Sequence, residues 1–454
     1  MAHSQDQSTL IEPPFALRAR LLSSSSDGSM IDIPDGVISC DDTGRIDWIG
    51  NAGDYGGAHA VTDMRPMVII PGLVDTHAHL PQIPITGIFD FAGLMNWLEV
   101  SMAPAERRFS GAGCREAALT YYCAFAAAGT TTAMLYGSVD ADATDAAFKA
   151  AAEHGLRVIL GQCLMDRLRY DDTPEEGITE RRLRESESLC QRWHGYDDGR
   201  LQYAFTPRFA PSCTPEMLRE SAQMAAASDA YWQTHLAEDL EDVALALEVH
   251  DHAQDYVDIY DRAGGLTRKS VFAHGAHLSD REVARLIEAG CSMSHCPSNV
   301  FGIGGLLDLG RYLDLGIPIG LGSDVGGSTD FSLFKAVELG WVCQAARDKF
   351  VGSATVVSDL KDWFHLATLG GAASLGLADR IGSLEVSKDA DLVAVDVERL
   401  RIVPGSENDD SNQLLTSMMF RHRPDMVRHA WVRGREVSGP GMFDNSAHVT
   451  DALL

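Results

Sequence analysis

The feature that most constrains this chain is a rhythm. Eight short apolar runs, at 67–75, 131–136, 156–163, 201–207, 231–235, 270–274, 290–295 and 318–323, are separated by segments of helical period. Short apolar runs alternating with helices argue for repeated β-α units and a parallel sheet covered on both faces. Eight such units close a (β/α)8 TIM barrel, which makes the fold class α/β. Helices are expected over 115–128, 144–154, 214–227 and 280–289. Three of these open on Thr or Asp, which can cap a first turn, and all four are followed directly by Gly or Ser.

The ends of the chain read differently. Residues 1–66 carry β-like pieces at 16–22, 36–40 and 45–50 between Ser-rich and Asp/Gly turns, and 378–454 returns to β character over 382–396 and 429–437. The two ends are therefore expected to join into one composite β-sandwich domain beside a barrel spanning 67–377. A chain of 454 residues has room for both, since a barrel takes about 250 residues.

Composition narrows the partners. The chain holds 37 basic and 65 acidic residues, and a formal charge of −28 opposes binding to nucleic acid or to an anionic membrane surface. No apolar run is long enough to span a bilayer and no signal-peptide pattern opens the sequence, so a cytoplasmic enzyme is expected. Nine cysteines without a Cys-x-x-Cys pair read as reduced, buried small side chains.

Barrel enzymes place their chemistry at the C-terminal ends of strands, and the polar residues of this chain collect there. His77 and His79 follow the first run, Arg208 the fourth, His235 and Glu238 the fifth, His274 the sixth and Asp324 the eighth. Residues i and i+2 of a strand point the same way, so His77 and His79 can offer two imidazoles to one ion. Three neutral imidazoles and a carboxylate suit a borderline divalent metal, zinc first and iron second, with a position open for water. Expelling ammonia also requires a general acid, and Glu238, three residues past His235, is placed to serve.

These residues carry a resemblance. His77-Ala-His79 after Pro-Gly, His235, His274 and Ser-Asp324 resemble the amidohydrolase superfamily, in its single-metal aminohydrolase branch. Within that branch the chain is similar to the guanine deaminases, through Asp75-Thr-His77-Ala-His79-Leu-Pro-Gln82, Trp97-Leu98 followed by Pro104-Ala-Glu106, Gly129-Thr-Thr-Thr132, Thr206-Pro-Arg208-Phe209-Ala-Pro, Ala273-His274-Gly, His295-Cys-Pro and Gly320-Leu-Gly-Ser-Asp324-Val-Gly-Gly327. The resemblance implies that His77, His79, His235 and Asp324 hold zinc. Asp324 would also take the proton of the attacking water, Glu238 would carry it to a ring nitrogen, and His274 would hydrogen-bond the attacking or developing oxygen. Gln82 and Arg208 would hold the polar edges of the base, with Phe209 offering its backbone amide or a ring contact; Trp97 is a further candidate substrate contact.

The implied reaction is attack on C2 of guanine, giving xanthine and ammonia. A pterin, 8-oxoguanine or an s-triazine is the alternative substrate, and an inactive scaffold of the same fold is the non-enzyme alternative. A homodimer follows from the family tendency. The chain departs from the family pattern at Ala237 and in the segments 83–91, 101–104 and 298–305, all near where substrate should enter.

Other candidates read as structural. His295 is expected to be a hydrogen-bonded strand-end residue, and His250, His252 and His277 to be solvated. Phe89 and Phe91 are expected to pack in a lid with Trp97. Cys296-Pro297 lacks the second cysteine of a cytidine-deaminase-type site.

Overall fold

The computed structural model describes residues 10–88, 93–111, 113–170, 176–298, 304–352, 355–402 and 410–440. In chain order these residues form β1 (Phe15–Ser24), β2 (Met30–Cys40), β3 (Ile46–Asn51), β4 (Val61–Pro71), β5 (Leu73–His79), β6 (Thr130–Tyr136), β7 (Arg157–Gly161), β8 (Cys163–Leu164), β9 (Leu201–Pro207), β10 (Tyr231–Leu236), β11 (Ser270–His274), β12 (Ser292–His295), β13 (Ile319–Leu321), β14 (Leu392–Val395), β15 (Val427–Val432) and β16 (Arg435–Ser438).

Eight strands form the barrel wall in the order β5-β6-β7-β9-β10-β11-β12-β13, with the short β8 paired beside β9. Neighbours along this path are parallel. The seam between β13 and β5 is closed just beyond the strand ends. Asp324 N–H donates to the His77 carbonyl at 2.9 Å and His79 N–H to the Val325 carbonyl at 3.3 Å. The Asp75 carboxylate accepts the N–H of Ser323 at 3.0 Å. Below this rim the interior is filled by Val74, Met134, Ile159, Ala204, Tyr231 and Val271, one from each of six strands, and helix Leu369–Ser374 contributes Ala372 to the same apolar cluster. The barrel is a packed core with its polar groups lifted to one end, as an enzyme of this architecture requires.

The other sheet has the order β16-β15-β14-β4-β1-β2-β3 and takes strands from both ends of the chain. Successive side chains on a strand point to opposite faces. In β4 and β14 this puts Ile69, Leu392 and Ala394 into the sheet's own core, where they meet Leu17, Leu21, Ile38 and Trp431. Val68, Ile70, Val393 and Val395 face the barrel core instead. Register shifts between Ala19 and Leu21 bend the long first strand, and the sheet folds over its apolar face as a β-sandwich.

The expected division at 66/67 falls inside β4, so the first apolar run is shared between the two bodies. Gly72 stands between them. A Cβ there would lie 1.9 Å from the Thr131 hydroxyl oxygen, and its N–H donates to the Asp391 carbonyl at 2.9 Å. We place the start of the barrel at Leu73 on that ground. At the other end, only Leu392–Val395 of the β-like stretch 382–396 is a strand. Left-handed backbone at Gly382 (φ 91°) and Ser387 (φ 77°) breaks the extended run before it.

The expected helices are present as Cys114–Ala127, Ala141–His154, Pro215–Ala227 and Asp280–Ala289. Two begin on caps other than those expected. Asp140, not Thr144, accepts the N–H groups of Asp142 and Ala143, and Ser279 forms a reciprocal capping box with Glu282. Thr214 caps its helix through the Met217 N–H.

A buried ion cluster fastens the barrel to the C-terminal segment. Arg157 on β7 donates through Nη2 to Asp389 at 2.8 Å and through Nε to Asp391 at 3.1 Å, and all three side chains are at most 3% exposed. Asp391 also accepts the N–H of Arg433 at 2.9 Å. Removing one partner strands buried charge on the other two. Arg157→Ala is expected to destabilise the protein by about 3–5 kcal/mol, read as a lower denaturant midpoint in equilibrium unfolding.

Candidate active site

The barrel rim gathers the chemistry-bearing residues into one buried cluster. His77 and His79 end β5, His235 lies near the end of β10, His274 ends β11, and Asp324 follows β13. His77 Nε2 and His79 Nε2 lie 3.2 and 3.3 Å from the same oxygen of Asp324. His79 Nε2 and His235 Nε2 are 3.1 Å apart. Ligand bonds of about 2.0–2.1 Å in a tetrahedron place neighbouring donors about 3.3–3.4 Å apart. The three spacings are therefore those of donors around one cation.

Proton positions agree with this. His235 Nδ1–H donates to the Arg208 carbonyl at 2.6 Å, which leaves the lone pair on Nε2, facing the cluster. Burial pushes His79 down to about 4 and His274 to about 3, and it carries His235 well below its ordinary value, with His77 and His79 adding to the effect. Burial thus favours the neutral form of His79, His235 and His274, the form in which an imidazole can ligate a metal. Burial opposes ionisation of Asp324, yet its hydrogen bonds to His77 and His79 outweigh that and hold the carboxyl well below the usual carboxylate range.

The backbone bends to bring these groups in. Ala237, His274 and Asp324 take left-handed φ values of 47°, 74° and 51°. Non-glycine residues avoid this region at a cost of about 1–3 kcal/mol each, and such strain collects at functional sites. Ala237, which departs from the family pattern, thus occupies a turn position between His235 and Glu238.

Glu238 is buried, with Oε2 3.7 Å from His274 Nε2. Burial, reinforced by the nearby charge of Asp324, raises its carboxyl well above the usual range. Two carboxyl groups at one site are thereby pushed in opposite directions, Asp324 toward the anion and Glu238 toward the acid. That is the arrangement by which one site runs base and acid chemistry at the same pH.

One cavity joins this cluster to the expected substrate contacts. It encloses about 360 Å³, mouth included, and is lined by His79, Leu94, Trp97, Leu98, Arg208, Phe209, His235, Glu238, Asp324 and Gly327. Trp97 is 3% exposed and donates from Nε1 to the Ile88 carbonyl at 3.3 Å. Gln82 lies behind the lining, fully buried, and reaches the same wall through Glu106. Glu106 Oε1 accepts Gln82 Nε2 at 2.5 Å and Arg208 Nη1 at 2.9 Å, and its other oxygen accepts the hydroxyl of Tyr170.

Sequence reasoning gave Glu106 no role, although it stands within a motif that carried the family resemblance. Tyr170 left no local signal at all. Phe89 and Phe91, expected in a lid, lie outside the described residues, as does most of the 298–305 loop.

His295 is buried at the end of β12, its ring 6.1 Å from that of Trp363 and its Nε2 without a hydrogen-bond partner among the described residues. One histidine reading is corrected. His250 is buried rather than solvated, because its Nε2 is tied to the Ala210 carbonyl at 2.9 Å.

Comparison with known proteins agrees with this geometry. The family model described as "Amidohydrolase family" matches residues 68–437. The chain belongs to the amidohydrolase family. A probable guanine deaminase of Deinococcus radiodurans is 36% identical over 370 residues, covering 79% of this chain and 82% of that protein. The guanine deaminase of Escherichia coli K12 is 33% identical over 365 residues, covering 78% and 79%. The solved structure of E. coli guanine deaminase superposes with a TM-score of 0.85 at 29% identity, covering 94% of this chain and all of that one. The donor set and the family alike suit a metal ion. Among the described residues no helix is long and apolar enough to cross a membrane.

Within this amidohydrolase the cation cluster is testable apart from turnover. His235→Ala removes a central donor, and the purified variant is expected to lose most of its bound metal by elemental analysis. Tyr136→Phe is expected to retain it, because the tyrosine only packs its ring 4.7–5.0 Å from the rings of His77, His79 and His235.

Proposed function

We infer that this chain is a hydrolytic deaminase that converts guanine and water to xanthine and ammonia, acting with a single zinc ion. The activity follows from the guanine deaminases it is similar to over most of their length. The observation that carries the residue roles is the pair of carboxyl groups, Asp324 and Glu238, driven to opposite protonation states on the wall of one cavity.

His77, His79, His235 and Asp324 would hold the ion, and zinc fits three imidazoles and a carboxylate better than a hard oxygen-seeking cation does. When bound, such an ion brings the pKa of a water toward neutrality and so supplies a nucleophile at pH 7. Asp324, kept anionic, takes a proton from the attacking water. His274 hydrogen-bonds the oxygen that adds to C2. Glu238, kept protonated, gives its proton to the ring nitrogen beside C2, which makes that carbon electrophilic. The Glu238 carboxylate then takes the proton of the hydroxyl added at C2 and passes it to the exocyclic amine. The C2–N bond breaks, ammonia departs and the carbonyl of xanthine forms, while Asp324 returns its proton to Glu238.

Arg208, Gln82 and Phe209 position the base, and Trp97 covers its ring. Arg208 has two functions in this reading. Its carbonyl orients His235 while its guanidinium meets the substrate. We place the activity in the cytoplasm, and in a homodimer on the family resemblance alone; light scattering reads the latter directly.

An ammonia-release panel of guanine, 8-oxoguanine, a pterin and an s-triazine tests the substrate. Guanine is expected to give the highest kcat/KM; a clear preference for any other member replaces this reading. Glu238→Gln is expected to bind metal normally and to lower kcat by about 10²–10⁴, measured by the absorbance change on xanthine formation. Arg208→Ala is expected to raise KM with metal content unchanged, and a parallel loss of metal would assign the arginine to the architecture instead.

A further inference from the structure

A buried carboxylate that does not face the cation cluster needs a reason to be there. Glu106 sits on the short helix Ala103–Arg108, whose neighbouring Arg107 and Arg108 are exposed. Its own side chain is turned inward and is 1% exposed. Burying a carboxylate costs several kcal/mol unless every lone pair finds a donor. Here both oxygens find donors, Oε1 in Gln82 and Arg208 and Oε2 in Tyr170.

We propose that Glu106 sets the order of donors and acceptors on the substrate wall, acting through Gln82 and Arg208, and so selects bases with a lactam edge, a ring N–H beside a carbonyl, over bases with an amidine edge. This deepens the guanine reading and rests on it. Glu106 is a positioning residue: it holds the two residues that meet the substrate.

The argument runs through the side-chain amide of Gln82. A carboxylate only accepts, so the amide must turn its NH2 to Glu106, and the carbonyl oxygen is left as its free end. That oxygen is buried and has no hydrogen-bond partner among the described residues. It lies against Gly326, where a Cβ would approach it to 2.3 Å and where the backbone is left-handed at φ 109°. The next residue, Gly327, lines the cavity. Glycine at 326 thus leaves that oxygen room directly behind the cavity lining.

Arg208 supplies the opposite sign. One N–H of its Nη1 goes to Glu106, and the guanidinium carries four more, on a side chain that lines the cavity. The wall therefore offers one acceptor beside several donors. A lactam edge satisfies both, its N–H meeting Gln82 and its carbonyl meeting Arg208. An amidine edge reverses the pattern, setting a ring lone pair against the Gln82 oxygen and an amine against the guanidinium. Both groups would then be buried unpaired, the kind of mismatch by which enzymes reject near-isosteres. Without the Glu106 carboxylate the amide can flip, and the order of the wall is lost.

The test compares guanine with 2,6-diaminopurine, which has the same ring system and the same amine at C2 but an amidine edge, using metal-loaded wild-type protein and Glu106→Gln. Glu106→Gln is expected to lower kcat/KM for guanine by about 30-fold or more, mainly through KM, an effect on the scale of one lost charged hydrogen bond. Turnover of 2,6-diaminopurine is expected to be unchanged or improved, so the preference for guanine narrows by at least tenfold, with bound metal unaltered. Equal losses on both bases would overturn the proposal and make Glu106 a structural residue.

Should Glu106→Gln fail to fold, Tyr170→Phe removes a hydrogen bond to the same carboxylate while keeping the charge pair with Arg208. It is expected to narrow the preference in the same direction by a smaller factor, and an unchanged preference would overturn the proposal. A wild-type protein inert to guanine overturns the functional reading and this edge with it. An active wild type whose variants keep the guanine preference overturns this inference alone.

Discussion

Everything at the catalytic end of this barrel depends on a chain of close donors: His77 and His79 each 3.2–3.3 Å from one Asp324 oxygen, and His235 3.1 Å from His79. In the absence of a cation the imidazole lone pairs repel one another, so the fold must hold them there. It does so at the seam where the barrel closes. His77 and Asp324 are joined by a main-chain hydrogen bond across that seam, and His79 is joined to Val325. The ligand atoms and the closure of the barrel are one structural unit. A shift of the seam displaces the metal site, and a bound cation in turn stabilises the seam through ligands from both of its sides.

The same buried environment makes the chemistry directional. Asp324 and Glu238 are both carboxyls on the same cavity, but the imidazoles of His77 and His79 lie 3.2 and 3.3 Å from Asp324, whereas that of His274 stands 3.7 Å from Glu238. Burial and repulsion push Glu238 the other way. Farther from the ion the wall carries fixed hydrogen-bonding groups instead, with Arg208 and Gln82 tied to Glu106. In the proposed reaction one end of the cavity thus moves protons while the other reads shape and polarity.

The fold was legible in the sequence wherever local period carries the information. Eight apolar runs became eight barrel strands, and the polar residues following them gathered at one rim, because parallel β-α units all point their C-terminal ends the same way. What was not legible is what depends on distant partners. The run at 67–75 reads as one strand, and only the close approach of Thr131 to Gly72 divides it between two sheets. Glu106 beside two arginines carries no local sign of its burial until Gln82 and Arg208 are brought to it from the segments that follow β5 and β9. His250, in acidic surroundings, reads as solvated until the Ala210 carbonyl claims it.

The threading of the seven-stranded sheet bears on how the chain is made. β4 hands directly to the barrel, but its partner β14 lies about 320 residues downstream. At synthesis rates of roughly 5–20 residues per second, that edge stays open for roughly 15–60 seconds on the ribosome. Val68, Ile69 and Ile70 form an apolar template there, of the kind that captures neighbouring strands. Biogenesis, more than the finished structure, is where this architecture is exposed to aggregation, and occupancy of β4 by a chaperone or by the growing barrel becomes part of the cost of building the active site from both ends of one polypeptide.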